Sequence, residues 1–466
     1  MTDRETGVLG TLWLAVAGAL APVRDALRQV YGAVYDVLEP VFAYDAVKVF
    51  VMFAGIWALF WWFGNQLDYP NQFVIALVRR VTFLSAVYAL AVLALNIQWG
   101  YAGLFNIGVA GFMAVGAYTV AMLSGSPTGD PSGHGLPLIV GVVGGVLAAT
   151  VVGLVASLPA LRLKADYLAI VTVALSEIIR ITYNAPAFSE YTGGASGFDN
   201  LPTDPVRRLL LENPTSPASG PTPLGHWVFS IGNTYDIPQP VMVNIVYTIA
   251  TLALLFVVYL VLERTGKSPV GRVLKAIRED ETAARSLGKD TQNFKIRAFA
   301  LGCGLMGLAG IVWYAMGPRA SVNPTNFRPE LTFYIFIALI IGGSGSNTGS
   351  ILGGALFASL LFEAPPRAAA IIRKNFEVGA DPGNLIRALV PIANGNFDPM
   401  AGFLLANIDT LRFIFMGVLL VVLVQRRPQG LLGARKETAA AVGLGEETQP
   451  TQSSGGAAAN GGESDE

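Results

Sequence analysis

The 466 residues are 53% hydrophobic and only 14% charged, with a net charge of −1 and a mean hydropathy of +0.53, whereas an ordinary soluble domain carries about 25% charged residues. The near-neutral balance excludes nucleic acid as a bulk electrostatic partner. The lone Cys303 excludes an internal disulfide, and with only His134 and His226 in the chain a Cys- or His-rich metal site is excluded as well.

Residues 1–45 open with an apolar run, Val8 to Ala21, too short to cross a bilayer. Val23, Leu27, Val30, Val34, Val37 and Val41 then recur at three- and four-residue spacing, with Arg24, Asp25, Arg28, Asp36 and Glu39 elsewhere on the wheel. That pattern predicts an amphipathic helix, either lying at the membrane interface or packed on a bundle. Apolar runs able to span about 30 Å of hydrocarbon follow at 47–64, 80–97, 101–123, 136–158, 166–184, 241–262, 296–317, 331–343, 349–363 and 405–425. The predicted fold is therefore all-α, a polytopic transmembrane helical bundle of about ten segments, some short or broken. The stretch 98–112 reads as a broken helix. The short segments 331–343 and 349–363, joined by "GGSGSNTGS", read as a half-spanning or re-entrant pair.

The loops set the expected orientation. Residues 263–297 contain nine Lys or Arg, whereas 185–240 contain two, Arg207 and Arg208. The first loop is expected in the cytoplasm and the second outside. Arg162, Lys164, Arg426 and Arg427 then fall inside, while simple alternation puts Arg79 and Arg80 outside, against the usual bias. Residues 46–363 form the expected membrane domain, 364–404 an external insertion, 405–432 the last span, and 433–466 a disordered acidic Gly/Ser tail.

One polar island stands out. In "GRVLKAIREDETAARSLG", Gly271 to Gly288, seven of 18 residues are charged. Val273, Ile277, Ala284 and Leu287 make an apolar stripe, and Glu279, Asp280 and Glu281 suit the start of a second helix. Gly288 suits its end. The island predicts two short cytoplasmic helices bent near Glu279 and Asp280. Such a hairpin is either a solvated loop or a docking surface for a cytoplasmic motor. The adjoining "TGKS", Thr265 to Ser268, is not a phosphate-binding loop, because the required first glycine is Val261 and a membrane helix precedes it where a strand is needed.

The island, together with "LNIQWGYAGLFNIGVAGFMAVGAY" (95–118), "LPALRLKADYLAIVTVALSEIIR" (158–180), "TGGASG" (192–197), "FALGCGLMGLAG" (299–310), "GGSGSNTG" (342–349) and "RRPQGLL" (426–432), resembles the permease subunits of branched-chain amino-acid ABC importers, the LivM-like family, in the same order. Its "ETAARSLG" carries the glutamate one residue earlier than the E-A-A-x3-G of other importers, and Asn106 and Val109 depart from the polar or acidic residue and the histidine that many relatives carry at those positions. The resemblance implies a multi-pass permease of the cell membrane that binds no cofactor itself. Its implied partners are a homologous second permease subunit, cytoplasmic ABC ATPase subunits that hold ATP and Mg, and an external substrate-binding protein. Arg272, Arg278, Glu279, Asp280, Glu281 and Arg285 would contact the ATPase, between Gly271 and Gly288, while Val273, Ile277 and Leu287 would anchor the hairpin.

Two sets of residues are candidates for the transport pathway. Glu177 and Arg180 lie three apart in an apolar span, where an unpaired charge costs about 2.5–3.5 kcal/mol. They are expected to pair and to face protein or water, unless Arg180 merely snorkels. Asn96, Gln98, Tyr101 and Asn106 sit in a Gly-punctuated stretch, and Gly343 and Ser344 in a second one. Such stretches permit close helix contact or line a route for a zwitterionic amino acid. Urea and short-amide permeases are the rival substrate class. An ion-coupled secondary transporter would need paired inverted repeats and membrane-buried carboxylates, for which Glu177 is the one candidate acid. An intramembrane enzyme lacks a metal cluster or a Ser/His dyad.

Overall fold

The computed structural model describes residues 45–432 apart from 161–164, 200, 203, 214–219, 318–320, 377 and 427–428. The predicted N-terminal amphipathic helix, the Arg162/Lys164 turn, Arg427 and the acidic tail lie outside the described residues.

Each of the ten apolar runs is a helix. They are α1 (Asp45–Gln66), α2 (Asn71–Leu95), α3 (Val109–Ser124), α4 (Leu138–Ala160), α5 (Ala165–Asn184), α8 (Gln239–Lys267), α11 (Thr291–Gly310), α12 (Pro329–Gly342), α13 (Asn347–Leu356) and α17 (Ile408–Arg426). Among the described residues, seven helices are long and apolar enough to cross a membrane, and a bent pair, Tyr167–Asn184 with Pro186–Thr192, makes an eighth. α3 and α12 are shorter apolar helices. Between the long spans lie α6 (Pro205–Leu210) and α7 (Pro223–Thr234), which form a cap, and α9 (Pro269–Glu279) and α10 (Glu281–Ser286), which form the polar hairpin.

The helices sort by how apolar they are all round. α2 is almost wholly buried, and it packs on α1, α8, α11, α12 and α13. α4 and α17 bury little of themselves, and their exposed leucines and valines suit contact with lipid or another subunit. Close backbone approach holds α3, α4 and α11 together. A Cβ on Gly116 would sit 2.4 Å from the Gly307 carbonyl oxygen, and one on Gly310 would sit 2.2 Å from that of Met113. Only glycine permits such a crossing.

Among the described residues there are three π-helical turns: Asn96–Tyr101 ends the α2 span, Ile311–Ala315 ends the α11 span, and Phe357–Glu363 lies within the span that α13 begins. Past the third turn the helix runs on as α14 (Ala364–Asn375), so Asn347–Asn375 is one 29-residue candidate span. Residues 364–375 therefore extend a membrane helix, where the sequence reading began a separate insertion. The short helices α15 (Leu385–Leu389) and α16 (Asp398–Ala406) follow before α17.

The two ends of the bundle differ. At one end, α9 and α10 pack beneath the end of α2. At the other, α6 and α7 join a second apolar cluster in which Val206, Leu210, Val228 and Phe229 meet Phe83, Val87, Tyr247 and Val312. Asp204 caps α6 through the Val206 amide at 2.8 Å, and burial pushes its carboxyl up to about 6.

Arg79 and Arg80 lie near this capped end, about 32 Å of helix from Tyr101 at 1.5 Å per residue. Arg80 meets an acid there that sequence reading overlooked. Glu363 is 1% exposed and pairs with Arg80 at 3.0 Å and Arg367 at 2.8 Å. Glu363 is thus the deeply buried acid, whereas Glu177 is partly exposed.

Candidate functional site

The break between α2 and α3 is built by side chains replacing helical hydrogen bonds. After the π turn, residues 102–108 climb back into the bundle, and α3 begins beside Thr332 of α12. Its first amides would be orphans in hydrocarbon. Three amides at this start find side-chain oxygens: Ile107 N donates to Thr172 Oγ1 at 2.9 Å, Gly108 N to Asn106 Oδ1 at 2.8 Å, and Ala110 N to Thr332 Oγ1 at 3.0 Å. Asn106 Nδ2 donates to Gln98 Oε1 at 2.8 Å, and Gln98 Nε2 to the Phe299 carbonyl at 2.7 Å. Asn96, Gln98 and Asn106 are fully buried. The predicted broken helix is present, and in this conformation its amides are used up in holding the break.

A second polar seam lies at the α9 end. Asn96 Nδ2 donates to Asn347 Oδ1 at 3.1 Å, and Asn347 Nδ2 to Glu263 Oε2 at 3.0 Å. Glu263 Oε1 pairs with Lys267 at 2.9 Å. Asn96 Oδ1 accepts from Gly345 N at 2.8 Å, in the turn that contains Gly343 and Ser344. Gly343 and Gly345 have φ of 102° and 87°, in a region other residues avoid. Ser346 caps α13 through Gly349 N at 3.0 Å. The "RRPQGLL" end also docks here, with Leu431 N and Leu432 N each donating at 2.9 Å to the last carbonyls of α12, those of Ile341 and Gly342. Tyr101 is buried against Gly266, with Lys275 Nζ 5.7 Å from its ring centroid.

The hairpin has the predicted bend. Ser268 caps α9 through Gly271 N at 3.3 Å, which explains the serine of "TGKS". Asp280 caps α10, accepting from Thr282 N and Ala283 N at 2.8 and 3.0 Å. Gly288 ends it with φ of 73°. The anchors are Gly271, Leu274, Ile277 and Ala284, all buried. Leu287 was expected among them, but it is 79% exposed, because the turn into Gly288 carries it off the buried stripe.

The hairpin's charges divide between two faces. Arg272, Glu279, Asp280 and Arg285 are exposed. Glu281 turns toward the bundle, where Lys295 Nζ donates at 3.0 Å and Thr291 Oγ1 at 3.1 Å. Burial raises its carboxyl, but Lys295, Thr291 and Arg285 outweigh that and hold it below the ordinary value of 4.5. Arg278 also points inward, donating to the Gly100 carbonyl and pairing with Glu279 at 2.6 Å.

Glu177 and Arg180 pair as expected, with Arg180 Nε donating to Glu177 Oε2 at 2.9 Å. Their side chains remain 33% and 22% exposed on α5. Residues that sequence reading missed here are Glu263, Thr172 and Thr332. Only Glu263 had a legible signal, an acid four residues before Lys267 at a helix end.

A buried central helix, interrupted spans and an outward polar hairpin define a polytopic helical membrane protein. The model of the branched-chain amino acid transport system / permease component family matches residues 77–361, and the chain belongs to that family. It is 30% identical over 355 residues to the high-affinity branched-chain amino acid transport system permease protein LivM of Salmonella typhimurium, covering 74% of this chain and 76% of that one. To the LivM protein of Escherichia coli it is 32% identical over 279 residues, covering 59% and 61%. To a probable branched-chain amino acid transport permease protein LivM of Methanocaldococcus jannaschii it is 27% identical over 308 residues, covering 60% and 79%. No solved structure matches the chain.

Proposed function

We propose that this chain is the membrane-spanning permease subunit of an ATP-driven importer for branched-chain amino acids. A second permease subunit completes the route, ATPase subunits in the cytoplasm supply energy, and an external binding protein delivers substrate. The observation that carries this reading is the α9–α10 hairpin. It is seated on the bundle by Leu274, Ile277 and Ala284, yet it presents Arg272, Glu279, Arg285 and the 79%-exposed Leu287 away from it. Leu287 leaves apolar surface among charged residues that a protein partner would remove from water. Nucleotide-driven closure of the ATPases moves the hairpin and biases the bundle between two states. The Glu177–Arg180 pair and the exposed apolar face of α5 suit the wall of a route shared with the second subunit, since lipid is a poor neighbour for a half-exposed ion pair.

The test is uptake of labelled leucine, isoleucine and valine into vesicles holding the reconstituted complex. Uptake should require ATP and persist without an ion gradient, and urea or short amides should not compete. Uptake that ignores ATP and vanishes with the gradient refutes the importer. Leu287→Asp should weaken co-purification of the ATPase at least tenfold, within the range of interface hot spots, and unchanged co-purification would remove the hairpin as the docking site.

A further inference from the structure

Arg278 lies on the wrong side of the hairpin to meet a docked ATPase. Its stem packs on Gly103, where a Cβ would sit 3.1 Å from Arg278 Cγ, and its Nη1 fits beside Gly345, where a Cβ would sit 3.0 Å away. Gly103 and Gly345 both hold left-handed backbone, with φ of 68° and 87°. The guanidinium enters this slot and donates to the carbonyl of Gly100, in the π turn that ends α2. From there Asn96, in the same π turn, binds Gly345 N and Asn347, Asn347 binds Glu263, and Glu263 stands about one turn before the end of α8, which leads straight into α9. The contacts close a ring: α9, the break after α2, the turn before α13, α8, and α9 again.

We propose that Arg278 is the positioning residue that transmits movement of the hairpin to the two broken segments of the membrane domain. It is the inward arm of the element whose outer face meets the motor. Arg272 and Arg285 stand exposed toward a partner, while Arg278 stays clasped to the Gly100 carbonyl and holds Glu279 beside it at 2.6 Å. Shifting α9 must then drag the π turn and the 343–346 turn, or break the clasp. Either event rearranges the end of α2 and the start of α13 together. The inference rests on the ATPase-docking reading above.

The experiment compares Arg278→Gln, Arg278→Lys and Asn347→Leu in the full complex, reconstituted with its ATPases and binding protein. Three quantities are read: ATPase co-purified per permease, ATP hydrolysed, and leucine taken up per ATP. In Arg278→Gln the ATPase should remain bound and hydrolysing while uptake per ATP falls about tenfold or more, the scale of a typical coupling between sites. Arg278→Lys, which keeps one donor within reach of the carbonyl, should recover most of that loss. Asn347→Leu cuts the ring at a residue buried inside the bundle, off the hairpin's outer face, and should uncouple in the same way. It also serves as the deciding variant if Arg278→Gln does not assemble. An unchanged ratio of uptake to hydrolysis in Arg278→Gln or in Asn347→Leu overturns the proposal, as does loss of ATPase binding in Arg278→Gln, which would make Arg278 a docking residue. Absence of the ATPase from the wild-type complex would refute the docking reading itself, a separate outcome.

Discussion

Arg80 and Glu363 are 283 positions apart in the chain and 3.0 Å apart in the fold. The pair joins α2 to the wide turn before α14, and Arg367 at 2.8 Å completes it. Removing the acid leaves the Arg80 and Arg367 guanidinium groups, 42% and 21% exposed, facing each other without a counter-charge, a change that costs about 1–3 kcal/mol. Glu363→Ala should therefore sharply reduce the folded yield in membranes and the melting temperature in detergent. Replacing Arg80 and Glu363 together with apolar residues should recover part of the loss. A wild-type melting curve for Glu363→Ala would show that the pair contributes nothing.

The crossing of α3 over α11 gives a second prediction. At Gly116 a methyl group would meet the Gly307 backbone at 2.4 Å, and backbone cannot move aside as a side chain can. Gly116→Ala should destabilise the protein by about 1–3 kcal/mol, as overpacking does. Thermal unfolding in detergent measures it, with Gly55→Ala as the control, because no atom lies within 4 Å of a Cβ placed there.

Asp204 makes the cap pH-dependent. Its carboxyl is raised from 3.8 to about 6 by burial, so the folded cap binds a proton more tightly than the unfolded chain. The contribution is fully present below the unfolded value and is lost as pH rises through about 6. The amides of 205–210 and 223–234 should be better protected from hydrogen exchange at pH 5 than at pH 7, once the intrinsic pH dependence of exchange is divided out, by on the order of 1–2 kcal/mol after solvent screening. Asp204→Asn keeps the cap and should flatten the difference. A profile that stays as steep in Asp204→Asn assigns the dependence elsewhere.

Glu177 and Arg180 should be coupled. Loss of one partner leaves a lone charge in an apolar span, costing about 2.5–3.5 kcal/mol. Glu177→Gln and Arg180→Gln should each lower membrane yield, and the double variant should restore it. If the pair lines the route, the double variant should insert normally yet transport at least tenfold more slowly. Normal transport would leave the pair a purely structural role.

Much of this architecture was legible because it rests on local chemistry. Ten apolar runs became ten helices, since a helix satisfies its backbone groups within one segment, which in hydrocarbon only a closed barrel of strands could otherwise achieve. The Asp280 cap, the bend beside it and the Gly288 stop were readable for the same reason: each is decided within four residues. What stayed hidden was decided across the fold. Nothing near Glu363 announces Arg80, and Thr172 and Thr332 look like ordinary helix threonines until the start of α3 is set against them. Leu287 matched the apolar spacing of its neighbours, but one turn in the chain carried it to the opposite face. Arg278 matched the charge of the hairpin's outer face and belongs to its inner one.

The π turn at Phe357–Glu363 has a further consequence. It lodges a surplus residue in its span and turns α14 beyond it by about 100° relative to a regular helix, the angle of one residue in 3.6. Glu363 reaches Arg80 with that rotation in place. Deleting a single residue such as Ser359 would tighten the helix and point the acid toward a different neighbour. Along this span the chain keeps its phase by insertion, so its length is as constrained as its composition.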